Sequence, residues 1–78
     1  MTLANAVKLR IIELCNQKNL SINKLCTLAG ISHSTLASFF SGKTEIPKMN
    51  TIYYITIGFG ISLGEFYMSP LFDNLDDD

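Results

Sequence analysis

Two glycines divide the middle of this 78-residue chain into short helical segments, and this division constrains the fold more than any other feature. Ser21 is a typical N-cap residue ahead of apolar side chains that recur at helical spacing. Gly30 can adopt the positive φ that ends such a helix at no steric cost. Ser32 is then placed to cap a second helix and Gly42 to end it. The sequence therefore predicts helices over residues 21–29 and 32–41, joined by a tight turn.

Two short helices joined by so tight a turn are typical of the helix-turn-helix, which places its second helix in the major groove of DNA. Apolar spacing and capping residues predict three more helices: residues 4–18, residues 51–60 and a short one begun by Ser62, with Glu65 placed for a capping box. The β-branched and aromatic run at 51–60 also suits a strand, but the chain offers it no partner strand. We therefore predict an all-α fold, a compact bundle of five short helices around one core.

The first predicted helix has an apolar stripe and a polar stripe. The residues expected to face the core are Val7, Ile11, Leu14 and Cys15, and those expected to face water are Lys8, Arg10, Glu13 and Gln17. Between the third and fourth helices, residues 42–50 have the Gly, Thr and Pro of an irregular loop, since Pro47 disfavours a helical residue before it.

Charge is divided unevenly along the chain. The formal net charge is −1, but four of the seven acidic residues lie in the last six positions, so residues 1–72, with six basic and three acidic side chains, carry +3. A mildly basic body is compatible with DNA binding. We expect residues 1–72 to form a helix-turn-helix DNA-binding domain. Residues 73–78 are expected to form a disordered acidic tail, either a solubilising end or an arm that competes with DNA phosphates.

Composition gives little support to other classes of function. No apolar run is long enough to cross a bilayer and the N-terminus has no signal-peptide pattern, so we expect a soluble, cytoplasmic protein without a membrane partner. Cys15 and Cys26 fall at inward helical positions, which favours buried free thiols over a disulfide. The two cysteines and one histidine do not have the spacing of metal ligands, so no metal or cofactor is predicted. No group of residues has the composition of a catalytic site, so no enzymatic activity is predicted.

A series of short fragments runs in a fixed order and without gaps through residues 11–66. The fragments are Leu20-Ser21, Leu25-Cys26, Ala29-Gly30-Ile31-Ser32, Thr35-Leu36, Gly42-Lys43, Pro47, Gly60-Ile61-Ser62-Leu63 and Glu65-Phe66. In this order the stretch resembles the helix-turn-helix of phage Cro and repressor proteins, the XRE-like family of bacterial regulators. The resemblance implies a lambda-repressor-like fold and a DNA-binding transcriptional regulator, expected to be a repressor that binds a palindromic operator as a homodimer.

Carried over position by position, the resemblance also implies which side chains contact double-stranded DNA. The residues expected to contact bases are His33, Ser34, Thr35 and Ser38. Those expected to contact phosphates, with the amides of the following loop, are Ser32, Asn23, Ser41, Lys43 and Thr44. Lys48 matches a position from which some relatives reach the minor groove. The alternative for each of these side chains is a solvated surface position without a DNA contact.

Helical patterning also leaves apolar side chains partly exposed on the second and fourth helices, and others follow the fifth helix. They include Leu28, Tyr53, Tyr54, Ile57, Met68 and Phe72, of which the last four are expected to form a two-fold homodimer interface. The alternative function is a protein-interaction module of the same fold, such as an antitoxin subunit or an anti-repressor, which would bind a protein partner through this surface.

Overall fold

A computed structural model of the chain describes residues 1–76, which form five α-helices and one short 3₁₀ helix. The helices are α1 (Leu3–Lys18), α2 (Ile22–Ala29), α3 (His33–Phe40), α4 (Met49–Phe59), α5 (Leu63–Tyr67) and the 3₁₀ helix Pro70–Phe72. The predicted all-α fold of five short helices is confirmed, and the residues described contain no strand. The run at 51–60, which also suited a strand, is helical and belongs to α4 apart from its last residue.

Side-chain caps and left-handed residues set most of the helix boundaries, as the sequence predicts. The Ser21 hydroxyl accepts a hydrogen bond from the Lys24 amide at 3.0 Å at the start of α2. In the capping box of α5, the Ser62 hydroxyl accepts from the Glu65 amide and the Glu65 carboxylate accepts from the Ser62 amide, both at 3.1 Å. Gly30 ends α2 with a φ of 71°, so the turn between α2 and α3 depends on a residue without a Cβ atom.

The core lies between α1, α2 and α4, with α3 and α5 closing its ends. Its largest fully buried side chains include Phe39, Phe66, Ile11, Leu25 and Leu36. Cys15 and Cys26 are buried free thiols, as predicted. Burial raises the pKa of both thiols, and the neighbouring Cys26 raises that of Cys15 further. Both cysteines therefore act as small apolar core residues.

The helix-turn-helix is held on the core by a close contact between α2 and α4. A Cβ atom added at Gly58 of α4 would lie 3.1 Å from the backbone nitrogen of Ala29 and 3.2 Å from a Leu25 methyl carbon. The two helices can approach this closely only because residue 58 has no side chain. Gly58 thus sets the distance between α4 and α2.

Arg10 is buried, which corrects the prediction that it faces water. Its Nε donates to the Phe66 carbonyl at 2.6 Å, one Nη donates to the Glu65 carbonyl at 2.7 Å, and the other pairs with the Glu13 carboxylate. The last carbonyls of a helix have no intrahelical donor, and the guanidinium donates to two of them from α1. The Glu65 carbonyl also accepts from the Met68 amide at 3.2 Å. Helical periodicity in α1 gives no sign of these acceptors, which lie 55 and 56 residues further along the chain.

Helix α4 begins at Met49, earlier than the sequence predicts. Lys48 precedes it with extended backbone angles and provides no side-chain cap. The Ile52 amide nevertheless donates to the Lys48 carbonyl at 3.1 Å, so the backbone alone closes the first turn. Capping residues in the sequence therefore do not predict where α4 begins.

The 3₁₀ helix at Pro70–Phe72 is a second element that the sequence did not predict. It packs through Phe72, whose ring centroid lies 5.0 Å from that of Tyr67 and 6.3 Å from that of Phe66. Beyond it, the Asp76 carboxylate lies 2.9 Å from the Met1 amine, and the Asp76 amide donates to the Met1 carbonyl. The remainder of the predicted acidic tail, residues 77–78, lies outside the described residues.

Candidate nucleic-acid interface

Helix α3 buries one face and presents the other to solvent. Leu36 and Phe39 point into the core and are 0% and 1% exposed. His33 and Ser34, at the start of the helix, are exposed, and Ser38, one turn further on, is half-buried. The polar side of α3 is therefore open to a ligand along its length.

Three hydroxyl groups form a network at the start of α3. The Ser32 hydroxyl lies 2.7 Å from the Thr35 hydroxyl and 3.2 Å from the Ser34 hydroxyl. It also accepts from the Thr35 amide at 3.3 Å, which makes it the N-cap of α3. Ser32 thus fixes the positions of the two hydroxyls beside it, which keep hydrogen-bonding capacity for an external group.

Two backbone amides of the loop that follows α3 form hydrogen bonds to the end of the helix. The Ser38 carbonyl accepts from the Lys43 amide at 3.0 Å, from the Thr44 amide at 3.4 Å and from the Ser41 hydroxyl at 3.1 Å. The expectation that the loop amides are free for phosphates is therefore wrong for these two amides. Lys43 and Thr44 can offer only their side chains, which are exposed.

A cleft of about 520 Å³ separates α3 from the loop that follows it, and we call it the α3 cleft. It is lined by Ser34, Thr35, Ser38, Thr44, Glu45, Ile46, Pro47, Lys48 and Thr51. Three predicted base-contacting residues thus share one concave surface with the predicted phosphate ligand Thr44 and the predicted minor-groove residue Lys48. His33, Asn23, Ser32, Ser41 and Lys43 lie outside the lining of the cleft, all at exposed positions.

Glu45 is a residue of this cleft that sequence reasoning missed. It is the single acidic residue between Glu13 and Glu65. Its isolated position in the sequence is the signal that could have identified it, whereas the net charge of residues 1–72 does not show it. The basic side chains nearest to it in sequence, Lys43 and Lys48, are exposed, and no lysine forms an ion pair within residues 1–76. The α3 end of the molecule therefore combines free cationic groups with one carboxylate.

Lys8 connects α1 to the underside of α3. Its ammonium group lies 5.2 Å from the centroid of the Phe39 ring, within the range of a cation–π contact. Because Phe39 is almost fully buried, the contact occurs at the edge of the core, on the side of α3 away from its polar face. Lys8 thus supports the orientation of α3 without occupying its outer surface.

A second surface, formed mainly by α4, is apolar. Tyr54 and Ile57 are 45% and 51% exposed, and α4 has no charged residue from Met49 to Phe59. Met68 is 77% exposed, whereas Phe72 is half-buried against the chain's own aromatic side chains. The predicted exposure of Tyr54, Ile57 and Met68 is confirmed, but Phe72 has less surface to offer a partner than the sequence indicated.

A short helix that presents a polar face, fixed to a preceding helix by a tight glycine turn, defines a helix-turn-helix DNA-binding protein. The sequence model of the family described as Helix-turn-helix matches residues 11–66, and the chain belongs to this family, whose proteins are of the XRE type. It is thus a DNA-binding regulator of a non-enzymatic family.

A solved structure supports the same assignment. The crystal structure of the prophage Lp1 protein 11 is similar to this chain with a TM-score of 0.83 and 33% sequence identity, over 96% of this chain and 99% of that one. None of the curated proteins matches the sequence. Within residues 1–76, no helix is both long and apolar enough to cross a bilayer, and no three potential metal ligands lie together.

Proposed function

We propose that this chain is a cytoplasmic, sequence-specific transcriptional repressor that inserts α3 into the major groove of a palindromic operator as a homodimer. The observation that supports this most is the exposed polar face of α3 beside a cleft that is lined by hydroxyl side chains, Lys48 and Glu45. Imidazole and hydroxyl groups can donate to and accept from base edges, and a threonine methyl can contact the methyl group of thymine. His33, Ser34, Thr35 and Ser38 are the proposed base contacts.

Phosphate contacts are assigned to the side chains around this face. Lys43 and Thr44 follow α3 and Asn23 lies in the first turn of α2, all exposed. Ser32 and Ser41 lie at the two ends of α3, and the Ser41 hydroxyl must release the Ser38 carbonyl before it can donate to a phosphate. Such contacts fix the position of a protein on the duplex without reading sequence. Lys48, at the far side of the α3 cleft, is assigned to the adjacent minor groove.

Homodimerisation is assigned to the apolar surface of α4 and α5. Tyr54 and Ile57 lie on a helix without charge, so two copies of this face can meet without like-charge repulsion. Met68, exposed beside Lys18 and Glu65, is a further proposed contact, and Phe72 contributes only the part of its ring left exposed. A two-fold dimer would place its recognition helices about 34 Å apart, one turn of DNA.

Base reading is tested by replacing His33 and Ser34 together with alanine. Duplexes are first selected from a random pool with the wild-type protein, and affinities for the selected and a scrambled duplex are then measured at fixed salt. We expect the double variant to lose about tenfold or more of its preference for the selected duplex, since a good base contact contributes about 1–3 kcal/mol of discrimination. An equal loss on both duplexes would contradict base reading by these side chains.

The contrasting variant is Lys43→Ala, which removes a proposed phosphate contact. It should weaken binding to the selected and scrambled duplexes by the same factor. It should also flatten the dependence of log affinity on log salt by up to about one unit, because one fewer counterion is released. The two variants together separate sequence reading from backbone attraction.

A further inference from the structure

We propose that Glu45 is a specificity-determining residue of the DNA interface, whose carboxylate accepts a hydrogen bond from the exocyclic amino group of a cytosine. The inference rests on the proposed DNA binding and specifies the base, cytosine, that Glu45 contacts. It concerns a residue of the loop between α3 and α4, outside the helix expected to read the sequence.

Glu45 lies within the candidate interface. Glu45 lines the same α3 cleft as Ser34 and Ser38, so an object that contacts these hydroxyls also comes close to the carboxylate. The side chain is exposed and forms no ion pair with any residue from 1 to 76. Glu45 also lines a second cavity with Thr2, Leu3 and Ala4 at the start of α1, where the helix dipole favours a negative charge. No cationic side chain neutralises it, so its charge is available to a ligand.

Glu45 also carries a negative charge on a surface proposed to meet DNA. A carboxylate on a surface that approaches DNA is repelled by the phosphates and lowers affinity for every duplex. Glu45 is the single acidic residue between positions 14 and 64, so the surrounding interface is otherwise neutral or basic. A hydrogen-bond donor of the nucleic acid that meets the carboxylate offsets this repulsion at that position. The group thus penalises duplexes that lack the donor more than those that have it.

The chemistry of base edges selects the donor. An ionised carboxylate only accepts hydrogen bonds, and the donors in the major groove are the amino groups of cytosine and adenine. Adenine presents the acceptor N7 beside its amino group, and guanine and thymine present acceptors to which a carboxylate cannot donate. Cytosine places its N4 amino group beside a C–H edge, so it attracts a carboxylate without an adjacent acceptor. The carboxylate of Glu45 is thus matched to cytosine.

Side-chain length also distinguishes Glu45 from most residues of α3. Apart from His33, the exposed side chains of α3 are short, and the helix HSTLASFF has no Arg, Gln or Asn to span the distance to a base edge. Glu45 is longer and lies across the cleft from them. It therefore extends base reading beyond the positions that the serines of α3 can touch.

The test is selection of duplexes from a random pool by the wild-type protein and by Glu45→Gln. Glutamine keeps the size of the side chain but removes its charge. We expect the wild type to enrich one cytosine per half-site and Glu45→Gln to lose that enrichment while keeping the others. Affinity of Glu45→Gln for a scrambled duplex should rise about two- to tenfold, because one repulsive charge is removed.

Asp73→Asn is the charge-matched control, since Asp73 is exposed and lies outside the α3 cleft. It should select the same sequences as the wild type. If Glu45→Gln also selects the wild-type sequences, the inference is overturned, even if its affinity for all duplexes rises. If the wild type retains no duplex at low salt, the proposed function fails as well, which distinguishes the two failures. Because Glu45 is exposed, the circular dichroism spectra and melting temperatures of the variants should match the wild type.

Discussion

Replacing Arg10 with alanine is expected to lower the free energy of unfolding by about 3 kcal/mol, measured by urea denaturation followed by circular dichroism. The guanidinium donates to the Glu65 and Phe66 carbonyls, and its removal leaves the end of α5 without these donors. Each hydrogen bond from a charged donor contributes about 1.5–3 kcal/mol, and Arg10 is 9% exposed, so water replaces the donors poorly. For a domain of this size the melting temperature should fall by more than about 10 °C.

Two further variants assign the loss to these hydrogen bonds. Arg10→Met keeps the apolar stem of the side chain and should lose nearly as much stability as Arg10→Ala. Glu13→Gln removes only the partner on the outer side, whose side chain is 41% exposed, and should change stability by less than about 1 kcal/mol. A methionine variant as stable as the wild type would show that the carbonyls of α5 do not need Arg10.

Replacing Gly58 with valine is expected to lower the free energy of unfolding by about 3 kcal/mol. A single Cβ atom at this position already approaches the Ala29 nitrogen to 3.1 Å, and the two γ-carbons of valine require further space. The atoms in the way include backbone of α2, which cannot rotate aside as the end of a flexible side chain can. Helix α2 must therefore move away from α4, and the contact between them is lost in part.

Gly64→Val is the matched control for this substitution. A Cβ atom at Gly64 would meet its nearest neighbour, the Ser62 hydroxyl, at 3.8 Å, an ordinary contact distance. Valine at this exposed position should change stability by less than about 0.5 kcal/mol. If both valine variants were equally stable, the α2–α4 contact at Gly58 would not be as tight as its geometry indicates.

The parts of the fold that the sequence predicts well are those set by neighbouring residues. Ser21 caps α2, Ser62 and Glu65 form a capping box, and Gly30 takes a positive φ, each through contacts within a few positions. Apolar spacing likewise identifies the buried face of α1 apart from Ala6 and Arg10. These signals are local, so a single sequence is sufficient to read them.

The parts that the sequence does not predict depend on contacts between distant segments. Arg10 looks like a solvated residue of α1 until α5 is placed beside it. The 3₁₀ helix forms where Phe72 contacts Phe66 and Tyr67. Helix-capping residues in the sequence do not predict that aromatic contact.

In the candidate site, too, some features follow from neighbouring residues and others from contacts that only the structure shows. The exposed face of α3 follows from its periodicity, since Leu36 and Phe39 are the buried positions and His33 and Ser34 the exposed ones. The placement of Glu45 beside that face follows from the path of the loop, which residue types do not determine. The occupied amides of Lys43 and Thr44 are likewise visible only in the structure.

The most direct test of the central claim is an NMR titration of the ¹⁵N-labelled protein with a DNA duplex at low salt. We expect the largest changes in amide chemical shift at residues 33–38, with smaller changes at residues 43–48. These are the segments that form α3 and the loop across the α3 cleft. If the duplex binds while the amides of residues 33–38 stay unchanged, DNA recognition by the exposed face of α3 is contradicted.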